Sequence, residues 1–182
     1  RVRFYEKTST AMLKLKDWAD PYYTTTDGPK DKREVRTKMV LKGLKEMDDS
    51  QRGKVGYLGT EDEDGTRYGA SRGELWCSEF YMWMGRSWLT GIWGMDSVAR
   101  MVSYFKRYNA YYGPNRIVEM GRRGDYLAMD TNDDGKKNHS GMFLTYDNSD
   151  GTPHIWTLEG NSGNRVKVNR RRIVPGYFTG LG

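Results

Sequence analysis

The 182 residues, with 6 Trp, 13 Tyr and 5 Phe against a hydrophobic fraction of only 36%, suit one domain with a real core and exclude a disordered chain, which lacks such large apolar side chains. A single cysteine excludes an intramolecular disulfide and any multi-cysteine zinc site, and no apolar run approaches the length of a membrane-spanning helix. The 30 Lys and Arg outnumber 24 Asp and Glu for a net charge of +6, which favours an anionic partner such as nucleic acid, a membrane surface or bacterial cell wall.

Residues 1–31 hold Pro21, Pro29 and the polar run TTTDGPKD and are expected to form an irregular arm with one short helix at STAMLKLKDWAD. From Lys32 to Asp48, Val40, Leu41, Leu44 and Met47 recur at helical spacing and predict an amphipathic helix. The next segment, SQRGKVGYLGTEDEDGTRYGASRGE, is rich in Gly and charge and predicts a long loop. If Cys77 lies in the first turn of a following helix, Phe80, Tyr81, Met84 and Trp88 share its face. The thiol then sits against the body of the protein, as a packed cysteine would, and near a helix N-terminus, where the dipole favours a thiolate. MDSVARMVSYFKRYN predicts another helix with Val98, Met101, Val102 and Phe105 as its stripe, Asp96 or Ser97 as its cap and Gly113-Pro114 as the stop beyond it.

After Gly121 the pattern changes from the helical period to short runs bounded by turns. GDYLAMD, HSGMFLTYD, TPHIWTLEGN and RVKVNRRRIV predict successive strands, joined by NDDGKKN, NSDG and NSGN. Helices first and an antiparallel sheet second is an α+β order. The basic cluster Arg170, Arg171 and Arg172 reads as the solvated end of a strand.

A cysteine attacks as its thiolate, and a catalytic one needs a base, commonly His, and a third group to orient that base. Only His139 and His154 are available. His139 opens a predicted strand directly after NDDGKKN. In LEGNSGN, Glu159 and Asn161 are two residues apart, so both face one side of the sheet if the strand persists that far, and either can accept from a ring N–H. If the two strands are neighbours across NSDG, these residues meet at one sheet end.

WCSEF at a helix start, GDYLAMDTNDDGKKNHSGMFL and TLEGNSGNRV, in that order, resemble the cysteine, histidine-dependent amidohydrolase/peptidase domain, or CHAP domain, of the papain-like superfamily over residues 74–170. The resemblance implies a papain-like α+β fold in which N-terminal helices pack on a C-terminal antiparallel sheet. It implies Cys77 as nucleophile and His139, in the (D/N)H(S/V)G element, as base. Glu159 would orient His139, with Asn161 as the alternative or additional orienting residue. The implied reaction is hydrolysis of amide bonds in bacterial peptidoglycan through a thioester, with the Cys77 N–H and an upstream side chain as oxyanion donors and with no cofactor or metal. Peptidoglycan is then the partner, an inhibitor protein a further partner left open, and the location secreted, periplasmic or in the cell wall. The chain starts at Arg1, not Met, which is compatible with a removed targeting signal. The long polar lead before Cys77 departs from the family pattern, and residues 1–70 match none of its motifs.

Other readings compete with this one. A catalytically silent wall-binding domain would share the fold and the basic surface. A nucleic-acid-binding module is disfavoured, because no such motif occurs and the basic residues are interleaved with acids. Asp130, Asn132, Asp134 and Gly135 fit the start of a calcium loop, but Gly141 stands where the bidentate Glu belongs, so a polar hairpin turn is expected. Asp62 and Asp64, followed by Tyr68, resemble a calcium loop found before the nucleophile in some CHAP domains, and are expected to be a solvated acidic loop. Glu79 suits the first turn of its helix through the dipole alone. Trp83 and Trp88 are expected in the core, and Trp76 either there or at the edge of the site.

Overall fold

The computed structural model of the chain describes residues 30–51, 65–71 and 73–182. The expected helix at STAMLKLKDWAD, most of the N-terminal arm, and Asp62 and Asp64 lie outside the described residues. Helix α1 spans Lys30–Gln51. A one-turn 3-10 helix at Thr66–Tyr68 precedes α2, Cys77–Gly85, and α3, Val98–Arg107, follows. A second 3-10 turn at Pro114–Arg116 runs into the short α4, Ile117–Met120. The strands are β1 Tyr126–Met129, β2 His139–Asp147, β3 His154–Glu159, β4 Lys167–Arg172 and β5 Phe178–Leu181. They form one antiparallel sheet in the order β4-β3-β2-β1-β5. The α+β order expected from the sequence is the observed one.

The sheet separates two apolar clusters because successive side chains point to opposite faces. Tyr126, Ala128, Met142, Leu144 and Leu158 face α1, α2 and α3 in the larger cluster. Leu127, Met129, Phe143, Ile155, Phe178 and Leu181 face Ile117 of α4 in the smaller one. α1 contributes Met39, Val40, Leu44 and Met47, while Leu41 is 45% exposed. The apolar stripe therefore includes Met39, and Leu41, about 100° round the helix from Val40, falls outside it.

Two further expectations are corrected. α2 ends at Gly85 and does not reach Trp88, which lies in the following turn and packs on the core from there. The lead into α2 is not solvated throughout: Tyr68 is fully buried, stacks on Trp76 at 5.2 Å between ring centroids, and donates from its hydroxyl to the buried Glu46 carboxylate of α1. β5 has no counterpart among the predicted strands. Its four residues offer no alternation to read, and it forms because β1 presents an open edge for it, Leu127 opposite Leu181.

Candidate active site

The residues around the first turn of α2 are fixed to the β3–β4 connection and to the turn before β1. Trp76 is fully buried, and its indole N–H donates to Asn164 Oδ1 at 3.0 Å in the β3–β4 connection. Tyr81, one turn on, donates from its hydroxyl to the Gly124 carbonyl at 2.7 Å, just before β1. Gly160, directly after β3, lies against α2 so closely that a Cβ there would sit 2.9 Å from Phe80 Cγ and 3.0 Å from Trp76. The end of β3 and the start of α2 are thus brought together by the absence of a side chain.

His139, the first residue of β2, pairs with Met129 of β1. Its Nε2 lies 2.8 Å from Glu159 Oε2 on the neighbouring strand. Gly141, two residues along on the same face, makes room for that carboxylate, since a Cβ there would be 2.8 Å from Glu159 Cγ. With Nε2 committed to Glu159, Nδ1 is the ring nitrogen left to face the Cys77 thiol, with which His139 interacts electrostatically. Cys77 is 4% exposed and the His139 side chain 13%, so the sulfur is almost enclosed.

The charges within this group support one another. Burial works against the Cys77 thiolate, yet hydrogen bonding and charge from His139, together with the N–H and hydroxyl of Ser140, bring the thiol below its ordinary pKa. Burial also works against a charged His139, but hydrogen bonds to Cys77 and Glu159 and the charges of both push the ring up to about 9. Glu159 is fully buried, which alone would raise its pKa; hydrogen bonds and charge from Arg171 and His139 bring it down to about 2. These directions all favour charge separation between thiol and ring, with the Glu159 carboxylate in line behind the imidazole. Beneath the thiol, Ser78 Oγ lies 3.2 Å from Ser140 Oγ and 3.4 Å from the Tyr126 hydroxyl, a buried network joining α2 to β1 and β2.

No protein-family model matches the chain, and no curated protein or solved structure matches it either.

Of the four site residues expected from the sequence, Cys77, His139 and Glu159 meet. Asn161 does not. β3 ends at Glu159, and Asn161 turns into the left-handed region at φ 53°, so it leaves the face that Glu159 occupies and makes no hydrogen bond to His139. His154 lies at the far end of β3, paired with Arg172, and its Nδ1 is 2.6 Å from the Thr152 carbonyl oxygen.

Of the arginine cluster only Arg172 is a solvated strand end; Arg170 and Arg171 are engaged. Arg170 bridges Asp147 and Asp150 at 2.8 Å each, and Arg171 reaches Glu159 through Nε at 2.9 Å and a terminal nitrogen at 2.6 Å. Their engagement leaves this cluster poorly suited to a run of phosphates. Arg171, Thr157 and Ser140 are site residues missed in the sequence. The signal for Arg171 was its two-residue spacing from Asn169, which places both on the Glu159 face once the β3–β4 register is known.

Glu79 does lie in the first turn of α2, but the dipole is not its whole setting: it is 3% exposed, and its Oε2 has no hydrogen-bond partner. Burial, with Asp96 and Glu74 nearby, pushes its pKa up to about 7. Asp130 takes the hairpin-turn role, accepting from the N–H groups of Asn132, Asp134 and Gly135. Among the described residues no three His, Cys, Asp or Glu side chains are placed to hold a metal ion, and no helix is long and apolar enough to cross a membrane. Immediately upstream of Cys77, Trp76 has committed its N–H to Asn164; the Cys77 N–H belongs to the first helical turn, whose amides have no intrahelical acceptor.

Proposed function

We propose that the protein is a cysteine-dependent hydrolase of amide bonds in bacterial peptidoglycan, with a papain-like domain of the CHAP type. The observation that carries this reading is the Cys77–His139–Glu159 line at the N-terminus of α2, assembled from three elements and polarised towards an ion pair. The order of the WCSEF, NHSG and LEGN motifs supplies the substrate class, and the net charge of +6 suits an anionic wall polymer.

The chemistry follows from the ion pair. The Cys77 thiolate attacks the amide carbonyl carbon, and the developing oxyanion is met by the Cys77 N–H and the positive end of the α2 dipole. The His139 imidazolium gives its proton to the departing amine nitrogen as the C–N bond breaks, leaving an acyl thioester and a neutral ring. Neutral His139 then takes a proton from water while the water oxygen attacks the thioester. The C–S bond breaks, the acid is released, and thiolate and imidazolium are restored. Glu159 keeps its charge throughout and orients the ring through Nε2, the role that the carboxylate plays through Nδ1 in serine-protease triads.

Mass spectrometry of purified peptidoglycan after incubation with wild type and with Cys77→Ala tests the reading. New fragments formed only by the wild type are expected, and their masses identify the bond. Identical digests would overturn hydrolysis and favour the silent wall-binding domain.

A further inference from the structure

Glu159 is held by more than His139. It lies at the end of β3 with no exposed surface, and its Oε1 accepts from Thr157 Oγ1 at 2.5 Å and from Arg171 Nε at 2.9 Å. Its Oε2 accepts from Arg171 at 2.6 Å and is shared with His139 at 2.8 Å. The β3–β4 register explains how Arg171 arrives there: Ile155 pairs with Arg171, Thr157 with Asn169 and Glu159 with Lys167, so all six side chains stand on one face. The guanidinium runs back along that face to the carboxylate, and the Arg171 side chain keeps only 29% of its surface exposed.

We propose that Arg171, assisted by Thr157, is a positioning residue that locks Glu159 in its ionised form and in the orientation that accepts from His139 Nε2. This inference rests on the Cys77–His139 reading and extends it to β4.

The physical need for such a lock is specific. A carboxylate buried without a fixed cation favours its neutral form. If His139 were the only ionic neighbour, the imidazolium proton could pass to the carboxylate, leaving a neutral ring beside Cys77 and no pair. A guanidinium bonded to both oxygens prevents that transfer, because it can only donate and its fork matches the carboxylate geometry. The charged and titratable groups facing Glu159 are His139 on β2, Arg171 on β4 and Tyr177 in the β4–β5 connection, which interacts electrostatically with both Glu159 and Arg171. Lys167, its register partner, directs its ammonium to the turn at Gly163. Burial of Glu159 is opposed first by the Arg171 hydrogen bonds and next by His139.

Iodoacetamide labelling of Cys77, followed by intact mass across the acid range, reads the pair without any substrate, since the chain has one cysteine. In R171Q the pH at which labelling collapses on the acid side should rise by about 1–3 units, because the cation that holds Glu159 charged has gone. R171K should restore most of the wild-type profile. T157V should show a smaller upward shift, and it decides the matter alone if R171Q does not fold. Folded R171Q and T157V with wild-type profiles, even if less heat-stable, would reduce both residues to a structural role and overturn the proposal; so would R171K behaving like R171Q. A wild type whose thiol labels like an ordinary one would sink the underlying pair instead, and the two failures are separable.

Discussion

His139 and Glu159, 20 residues apart in the chain, are joined at 2.8 Å across neighbouring antiparallel strands, while Cys77, at the start of a helix well upstream of both, completes the line at the same sheet end. The contact fixes the orientation of the His139 ring: Nε2 faces the carboxylate, so Nδ1 faces the thiol.

The thiol should therefore label rapidly with iodoacetamide below neutral pH, where an ordinary cysteine is protonated. His139→Ala should slow labelling at pH 6 by about tenfold or more, as the thiolate loses its cation. Thermal unfolding carries a matching signature. The His139 pKa is raised from 6.5 to about 9, so the stabilisation tied to its charge is complete below about 6.5 and is lost as pH rises through about 9. His139→Ala should lack that alkaline loss, and a wild-type melting profile flat over pH 7–10 would contradict the pair.

Turnover of peptidoglycan should separate the two orienting candidates. Glu159→Gln removes the charge from Nε2 and leaves Arg171 facing a neutral amide; a fall of about 10²–10⁴ is expected in the proposed hydrolysis. Asn161→Gly keeps the left-handed backbone at φ 53° and should change turnover less than about threefold. A large loss in Asn161→Gly with Glu159→Gln nearly active would reverse the assignment.

Glu79 should make the protein less stable at neutral pH than it need be. Burial raises its pKa to about 7, so its favourable, protonated contribution is complete below about 4.5 and lost as pH rises through about 7. Glu79→Gln keeps the shape without the charge and should raise stability at pH 8 by roughly 1–3 kcal/mol, with little change at pH 4.5. Equal melting temperatures of the two proteins at pH 8 would show that the carboxylate finds a partner in solution.

The Asp130 turn should need no calcium. Its carboxylate is 4% exposed and already accepts from three backbone N–H groups. Asp130→Ala should cost about 1–3 kcal/mol by orphaning those donors, whereas a chelator should leave the melting temperature of the wild type unchanged. A fall of several degrees on chelation would establish a bound cation.

Features that depend on local spacing are legible in the chain. The helical period places Cys77 at the start of α2 with Phe80, Tyr81 and Met84, and puts Val98, Met101, Val102 and Phe105 inside, with Ser97 accepting from the Arg100 N–H as the cap. Short runs bounded by turn residues define β1 to β4, and the NSDG turn makes β2 and β3 neighbours, so His139 and Glu159 could be placed at one sheet end. Which acceptor reaches the ring is set by the assembled fold. That choice depends on where β3 stops and on Asn161 adopting a left-handed backbone, a difference of one residue that spacing does not encode. The same holds for Arg171 and Glu79. One looks solvated and the other is explained by the helix dipole alone, yet one reaches a buried carboxylate and the other is itself buried. Burial and pairing belong to the assembled sheet and helices, because they are set by side chains that approach from distant parts of the chain.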